Sequence, residues 1–483
     1  MAETTAADEA ADSPLPALAD ASAREEIGER CETVRAGGVG AGFPSIHRVS
    51  RQRLYGAHGR VAIVATARTP FSRSGTDLDA LDVIDLAGVA AAEAVARSGA
   101  DPAEIDLAVF GCVLPALDGP NLGREAVLRA ALPASIPGWA VNLACASSNR
   151  AITSAAEAIL SGEAEIVLAG GAESLSNVPV RFPRSAVGKL QPLQKARTAG
   201  ARLGALARFR PRDFAPVAPA IAEYSTGMTM GEACEKMAKE NSVSRRAQDE
   251  IALLSHRRAA AAAAEGRFAQ QLVPVLPAPG YERAVVADNG VRPDVSPEGL
   301  AALRPVFDRR FGTLTAGNSS PITDGGSAVV LMSERKARAL GCAPLAFVRS
   351  WAYSAIPPGG QLLQGPAYAA PLALERAGLR LADIDLVEMH EAFAAQVLSN
   401  LKALASRRFA RDELNRSEPV GEVDLERWNV NGGSIALGHP FGATGARVTM
   451  QLVHELARRG LKFGLLTVCA AGGHGFAMVV ERD

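Results

Sequence analysis

Apolar residues follow two alternating patterns from Arg60 onward. Short continuous apolar runs, such as VAIVATART, predict buried strands. Between them, apolar residues recur every three or four positions, as in LDVIDLAGVAAAEAVARSG, which predicts a helix that ends at Gly99. The alternation continues through DPAEIDLAVFGCV, GREAVLRAAL, WAVNLAC and EIVLAGGAES. Strands that alternate with helices predict a layered α/β domain.

The alternation stops between about Arg181 and Gly317. This stretch contains proline-rich turns, a basic run from Lys189 to Arg212, and three predicted helices around GEACEKMAKEN, SRRAQDEIALLSHRRAAAAAAEG and SPEGLAAL. We therefore expect a long insertion. The segment SPITDGGSAVVLM then returns to a strand pattern and completes the first α/β unit.

The last third of the chain repeats the plan of the first. DPAEIDLAVFGCV parallels LADIDLVEMHEAF, and AITSAAEAILSGEAEIVLAGG parallels ARVTMQLVHELARRGLKFGLLTVCAAGG. Two packed copies of one α/β unit would leave a cleft between them. The predicted division is a flexible N-terminal extension at residues 1–59, an N-terminal half at 60–180 plus 318–335, an inserted loop domain at 181–317 and a C-terminal half at 343–483.

Composition narrows the class of protein. A chain of 483 residues with a formal net charge of −1 has no overall attraction for nucleic acid or an anionic membrane. Its six cysteines are scattered and form no CxxC pair, which argues against a zinc site or a disulfide framework and favours a reducing cytoplasm. No apolar run reaches the roughly 18 residues of a membrane-spanning helix. The first residues match neither a signal peptide nor a transit peptide.

Cys145 lies where the strand pattern of WAVNLAC gives way to a helical pattern. A cysteine over the first turn of a helix meets unpaired N–H groups and the positive end of the helix dipole, which stabilise a thiolate. This position predicts a nucleophile. The alternative is a small buried core thiol, because free cysteine is among the most buried residue types.

Three stretches in the second half favour the nucleophile. His439 lies in the glycine-rich run NVNGGSIALGHPFGATGAR, His390 at the end of a strand in MHEAFAAQ, and Cys469 at a strand end in TVCAAGGHG. Each alone is weak evidence, but all three occupy equivalent edges of the repeated α/β unit. Together with Cys145 they predict an active site in the cleft.

These motifs, in this order, resemble the thiolase family of acetyl-CoA C-acyltransferases, and the resemblance covers essentially residues 60–483. HEAF in place of the commoner NEAF, with RPRDFAPVAPAIAEYSTGMTMGEACEKMAKE, looks most like the β-subunit type of the fatty-acid oxidation (trifunctional) complex. The resemblance implies a thiolase fold: duplicated α/β halves in a five-layer α-β-α-β-α sandwich with an inserted loop domain. It implies thiolysis of a 3-ketoacyl-CoA in fatty-acid β-oxidation.

The resemblance also assigns roles to the matching residues. His439 would take the proton of Cys145, whose sulfur attacks the keto carbon, and Cys469 would protonate the acetyl-CoA enolate and then deprotonate CoA. His439 and a water at His390 would stabilise the enolate, while the backbone N–H groups of Cys145 and Ala471 would hold the tetrahedral oxyanion.

Coenzyme A is implied as a co-substrate, with neither a metal nor a bound cofactor. Ser320 in AGNSSP matches a family serine near the pantetheine arm, and Phe393 of HEAF would line the same tunnel. The basic run from Lys189 to Arg212 could meet CoA phosphates, an acidic partner or a membrane surface, cover the acyl chain, or be a solvated face. A homodimer is implied, as is a complex with a hydratase/3-hydroxyacyl-CoA dehydrogenase subunit.

Three other functions remain open. A biosynthetic acetoacetyl-CoA thiolase would use the same residues. A β-ketoacyl synthase also uses a cysteine and two histidines but needs no second acid/base thiol, so Cys469 favours a thiolase. A non-catalytic CoA- or lipid-binding scaffold would be expected to lack Cys145, His439 or Cys469. Outside these motifs, His256 and His454 are predicted to be surface residues because their helices carry charged neighbours.

Overall fold

The computed structural model describes residues 59–217, 219 and 222–483. The extension predicted for residues 1–59 lies outside the described residues except for Gly59. Within the described part, no helix is long and apolar enough to cross a membrane.

The described residues form one ten-stranded mixed sheet in which the strands of the two repeats join edge to edge. The strand order is β4-β3-β5-β6-β1-β7-β10-β9-β8, with β2 paired to β6. The pairs β3/β4, β3/β5 and β8/β9 are parallel and the others antiparallel. The strands are β1 Val61–Arg68, β2 Ser72–Arg73, β3 Leu107–Gly111, β4 Gly138–Val141, β5 Ile166–Glu173, β6 Thr323–Ser333, β7 Ala346–Ala355, β8 Leu386–Met389, β9 Phe463–Ala470 and β10 His474–Glu481.

The helices lie between and over these strands. Their bounds are α1 Val83–Ser98, α2 Leu122–Arg129, α3 Ser147–Ser161, α4 Arg184–Lys195, α5 Ala199–Leu206, α6 Met230–Glu240, α7 Arg245–Ala264, α8 Pro297–Ala301, α9 Glu334–Ala339, α10 Gly365–Ala377, α11 Ala394–Ala405, α12 Arg407–Asp412, α13 Ser434–Leu437 and α14 Thr444–Arg459. As predicted from its sequence, α1 ends at Gly99, which takes the left-handed conformation.

Three apolar clusters define five layers. The central cluster joins α3 and α14 to the inner faces of both halves of the sheet. A second cluster packs α1 and α2 on the outer face of the first half, and a third packs α10 and α11 on the outer face of the second half. Alternation along β9 shows how one strand serves two layers: Leu465 belongs to an outer cluster and Leu466 to the central one. The predicted α-β-α-β-α fold is confirmed.

The internal repeat is visible as matching elements. In each half a short 3₁₀ helix precedes a strand, at residues 102–104 before β3 and at 381–383 before β8. In each half a long helix then leads to a strand parallel to that one, α3 to β5 and α14 to β9. Both helices end at a left-handed glycine, Gly162 and Gly460. The N-termini of α3 and α14 are therefore equivalent positions; Cys145 lies two residues before the first and His439 five residues before the second.

The inserted segment contains more helix than its sequence predicts. The three expected helices are α6, α7 and α8, but the basic run also folds, as α4 and α5. Helix α4 contains Pro192 and has no side-chain N-cap, so its sequence lacks the usual helix signals. Several apolar side chains of this segment face solvent: Phe182, Val187, Leu203, Leu206 and Phe214.

Candidate active site

Cys145 lies at the end of a sharp turn that joins β4 to α3. The predicted strand ends early, at Val141, because the next residues form this turn. Asn142 Oδ1 accepts a hydrogen bond from the Ala144 N–H at 3.0 Å, and Ala144 has a positive φ of 46°. The Ser147 hydroxyl donates to the Ala144 carbonyl at 2.6 Å. These bonds hold a strained backbone that presents Cys145 before the helix begins.

His439 faces this cysteine from the other half of the chain. Its Nε2 lies 3.2 Å from Cys145 Sγ, and its Nδ1 lies 2.6 Å from Thr444 Oγ1. Thr444 donates its own hydroxyl hydrogen to the Pro440 carbonyl at 2.9 Å, so its oxygen can only accept from the ring. Nδ1 therefore carries the hydrogen, and the Nε2 lone pair points at the thiol. This is the arrangement of a nucleophile and its general base.

The resting pair is neutral. Burial raises the pKa of Cys145 to about 12, although the backbone N–H groups of Ala471 and of Cys145 itself act in the opposite direction. Burial, with a smaller effect from Arg447, lowers the pKa of His439 to about 3. The backbone donors thus act in the direction that the sequence predicts, but desolvation has the larger effect on the pKa of Cys145. Proton transfer from Cys145 to His439 must accompany attack on a substrate.

His390 is completely buried beside this pair. Its ring centroid is 4.2 Å from that of His439, and its Nδ1 lies 2.8 Å from Ser434 Oγ. Arg447 donates to the same Ser434 oxygen. His390 Nε2 finds no hydrogen-bond partner among the described residues. Burial holds the pKa of His390 well below its usual value. The result is an uncharged imidazole with an unpartnered ring nitrogen at the centre of the site.

Cys469 lies next to the last residue of β9 and is 1% exposed. Burial, followed by the nearby thiols of Cys145 and Cys234, raises its pKa well above the usual value. Beyond it, Gly472 and Gly473 both take positive φ angles, of 83° and 75°. The backbone N–H of Ala471, in this turn, acts to lower the pKa of Cys145. The CAAGG motif thus brings a second thiol and a backbone donor to the nucleophile.

The predicted CoA-contacting residues lie on adjoining loops. The Ser320 N–H donates to the Ala392 carbonyl at 3.0 Å, and Phe393 joins the apolar cluster that contains Cys469. The ring of Phe393 packs edge-on against Phe307 of the insertion, with centroids 5.9 Å apart. The sequence-predicted residues Cys145, His390, His439, Cys469, Ala471, Ser320 and Phe393 therefore belong to adjoining segments around one site.

Comparison with known proteins agrees with this arrangement. Models of the thiolase N-terminal and C-terminal domains match residues 61–335 and 342–482. The chain belongs to the thiolase family.

Individual thiolases resemble the chain over most of its length. A 3-ketoacyl-CoA thiolase of Pectobacterium atrosepticum is 48% identical over 422 residues, which are 87% of this chain and 96% of that protein. One of Yersinia enterocolitica is 47% identical over 424 residues, 88% of this chain and 97% of its own. Among solved structures, a Bacillus anthracis acetyl-CoA acetyltransferase has 34% identity and a TM-score of 0.75, and the match covers 87% of this chain and 98% of that one. The resemblance inferred from the motifs is confirmed.

Some residues of this thiolase site carry no signal in the sequence that would have singled them out. Thr444, Ser434 and Arg447 all lie in or beside the glycine-rich motif, but spacing does not say which hydroxyl faces which ring. Glu173 at the end of β5 was also missed. It is fully buried and accepts hydrogen bonds from the N–H groups of Val113, Leu114 and Gly442 at 3.0, 2.8 and 2.9 Å.

Two histidine predictions need correction. His256 is 5% exposed, and its Nδ1 accepts from the Arg292 N–H at 3.3 Å. His454 is half-buried and its Nε2 lies 2.8 Å from Thr66 Oγ1. Burial lowers the pKa of each to about 4. Arg257, next to His256, is exposed, whereas Glu455, next to His454, is itself buried.

The ligand atoms of Cys145, His390 and His439 lie within 4.8 Å of one another. A thiolate and two imidazoles at such distances are a possible zinc donor set. However, both ring nitrogens of His439 already have hydrogen-bond partners, Thr444 and the Cys145 thiol. The donor set is therefore already organised for proton transfer.

Proposed function

We propose that this protein is a 3-ketoacyl-CoA thiolase that cleaves its substrate with coenzyme A through an acyl-Cys145 intermediate. The observation that carries the proposal is the 3.2 Å contact between His439 Nε2 and Cys145 Sγ, made beside a second thiol, Cys469, that interacts electrostatically with the first. Two thiols with different partners suit a reaction that needs one nucleophile and one separate acid/base.

In the first step the Cys145 sulfur bonds to the keto carbon while its proton passes to His439 Nε2. The carbonyl electron pair moves to oxygen, and the N–H groups of Cys145 and Ala471 stabilise the negative charge. Because burial disfavours the charged forms of both residues, the proton transfer accompanies the attack.

In the second step the carbonyl re-forms and the bond between the α and β carbons breaks. Its electron pair becomes the enolate of acetyl-CoA. Protonated His439 stabilises the enolate oxygen, and so does His390, directly or through a water, in the tautomer that carries its hydrogen on the unpartnered Nε2. Cys469 gives its proton to the enolate carbon and becomes a thiolate. The high pKa that burial gives Cys469 matches it to this strongly basic carbon.

In the third step incoming CoA replaces acetyl-CoA. The Cys469 thiolate takes the proton of the CoA thiol, so acid and base are restored without solvent. The CoA sulfur then attacks the acyl carbon, and Cys145 leaves as a thiolate that recovers its proton from His439. Coenzyme A is thus a co-substrate, held near the loops of Ser320 and Phe393, and no step requires a metal or a bound redox cofactor.

The alternatives are separated by substrate. The match to a Bacillus anthracis acetyl-CoA acetyltransferase makes a biosynthetic acetoacetyl-CoA thiolase the second candidate function. The test follows CoA-dependent loss of the magnesium-enolate absorbance of acetoacetyl-CoA and of a long-chain 3-ketoacyl-CoA. Wild type should cleave the long-chain substrate preferentially, and Cys469→Ala should lose this cleavage. Cys342→Ala is the control and should match wild type, because the Cys342 thiol donates its hydrogen bond to the Ser98 carbonyl and not to a residue of the site. Preference for acetoacetyl-CoA would favour the biosynthetic thiolase. Cleavage of neither substrate would favour a β-ketoacyl synthase or a non-catalytic scaffold.

The expected partners and location also remain proposals. In the described residues β4 pairs with β3 alone, and Trp139 on β4 is 43% exposed, so a second copy could pair along this edge to give a homodimer. The exposed apolar and basic side chains of α4 and α5 would suit a membrane or an acidic surface. The resemblance supports a complex with a hydratase/3-hydroxyacyl-CoA dehydrogenase subunit. The cytoplasm as location is supported by the cysteines of the described residues, which form no disulfide with one another.

A further inference from the structure

A carboxylate from the insertion reaches the turn that follows Cys469. Glu223 Oε2 accepts a hydrogen bond from the Gly472 N–H at 2.8 Å, although the two residues lie 249 positions apart. Glu223 belongs to none of the four catalytic motifs. Its contact is nevertheless adjacent to the backbone donor of the site, because Gly472 directly follows Ala471, whose N–H acts to lower the pKa of Cys145.

The turn at residues 471–473 has few contacts of its own that fix its backbone conformation. Gly472 and Gly473 have no side chains, and both take positive φ angles that glycine reaches without strain. On one side the Ile356 N–H donates to the Gly473 carbonyl at 3.0 Å. On the other side the Glu223 carboxylate binds the Gly472 N–H. Rotation of the peptide between Ala471 and Gly472 would break the second contact, so Glu223 limits the motion of the backbone beside the Ala471 donor.

Glu223 is itself fixed at the base of a short turn. Its N–H donates to the Met228 carbonyl at 2.8 Å, and its carbonyl accepts from the Gly227 N–H at 2.8 Å. The turn leads directly into α6, whose first turn is closed by a capping box between Thr229 and Glu232. Helix α6 in turn packs Cys234 against Cys469 in one apolar cluster. The carboxylate is therefore carried by the turn that leads into α6, a helix that forms one wall of the site.

We propose that Glu223 is a positioning residue that holds the Ala471–Gly472 peptide so that the Ala471 N–H meets the oxyanion formed on attack by Cys145. This inference rests on the proposed thiolase function and adds a role for the insertion, which then supplies part of the support for the chemistry. Because Glu223 acts through a hydrogen bond rather than through its charge, an acceptor oxygen of the same reach is sufficient.

The charge and the hydrogen bond can be separated by substitution. Glu223→Gln keeps an acceptor oxygen at the same reach and removes the charge, whereas Glu223→Asp keeps the charge and withdraws the oxygen by one methylene. Glu223→Ala removes both. Tyr224→Ala is the matched control, because Tyr224 is the next residue and its side chain is fully exposed. Thermal unfolding of each variant shows whether it is folded before its rates are compared.

The readout is steady-state thiolysis of one 3-ketoacyl-CoA, with kcat and KM separated, plus the rate of Cys145 acylation. Removing an oxyanion donor costs roughly 100- to 1000-fold, so misdirecting one should lower kcat by about 10- to 100-fold in Glu223→Ala and Glu223→Asp. KM should change by less than about threefold, since the interaction is made in the transition state. Glu223→Gln and Tyr224→Ala should stay within about threefold of wild type.

Three results would overturn the inference while wild type remains an active thiolase. These are wild-type kcat in folded Glu223→Ala, a rise in KM without a fall in kcat, or a Glu223→Gln as slow as Glu223→Ala. If wild type cleaved no 3-ketoacyl-CoA at all, the proposed function itself would fail. The two failures are therefore distinguished by the wild-type assay.

Discussion

The carboxylate of Glu173, at the end of β5, accepts a hydrogen bond from the backbone N–H of Gly442 at 2.9 Å. The contact crosses from the half that carries the nucleophile to the loop that carries the general base. Gly442 lies between His439 and Thr444, the two residues that form the base and its orienting hydroxyl. A Cβ on Gly442 would come within 2.5 Å of the Ala172 carbonyl oxygen, so this approach also requires glycine. Glu173 thereby fixes the position of His439 relative to Cys145.

Glu173→Gln should lower both stability and turnover. The carboxylate receives three backbone N–H groups, and an amide would present its own N–H to at least one of them. Leaving a buried donor unpaired costs about 1–3 kcal/mol. We expect a lower midpoint of thermal unfolding and a kcat reduced by about tenfold or more, with Glu298→Gln, on the exposed first turn of α8, as the control. Wild-type kcat in Glu173→Gln would contradict the positioning role.

The pH dependence of kcat should show an acid limb that belongs to Glu173. Burial raises the pKa of Glu173 to about 7, whereas the pKa of His439 lies at about 3 and that of His390 well below its usual value. As pH falls through about 7, Glu173 takes up a proton, loses an acceptor site for a backbone N–H, and loosens the His439 loop. Turnover should therefore fall on the acid side. The pH profile of Glu173→Gln should lack this limb; an unchanged limb would assign it to another group.

Thr444→Val should slow the reaction by misorienting His439. Valine is close to threonine in shape but offers no acceptor to the Nδ1–H, so the tautomer with a free Nε2 lone pair is no longer favoured. We expect kcat to fall by about 10- to 100-fold, the range typical of general-base catalysis. Thr449→Val is a matched control, because Thr449 is also buried in α14 but donates to the Gly445 carbonyl. Equal rates for the two variants would show that Thr444 does not orient His439.

Metal chelation should leave the enzyme active. Although the ligand atoms of Cys145, His390 and His439 lie within 4.8 Å of one another, the proposed steps move only protons and the acyl group. Incubation with EDTA followed by gel filtration should retain full thiolysis, measured by release of acetyl-CoA in magnesium-free buffer. Lost activity that returns on addition of zinc would show that these three residues hold a catalytic metal instead.

The sequence was sufficient for the fold, and its resemblance to the thiolases was sufficient for the pairing of Cys145 with His439. It was insufficient for the protonation states. A helix N-terminus favours a thiolate, but the burial that reverses this preference depends on tertiary packing. The roles of Thr444, Ser434 and Glu173 were hidden for a related reason: each acts through one hydrogen bond whose geometry no spacing encodes. His256 and His454 were misplaced because charged neighbours in sequence do not report which helix face is buried.

The central claim is that Cys145 carries the acyl group between the two half-reactions. The most direct measurement is rapid-quench mass spectrometry of the enzyme mixed with a 3-ketoacyl-CoA in the absence of free CoA, with peptide mapping of the adduct. We predict one equivalent of acetyl-CoA and a shortened acyl group on Cys145, absent in Cys145→Ser and discharged by added CoA. An adduct on Cys469, or acetyl-CoA formed by Cys145→Ser at the wild-type rate, would contradict the account.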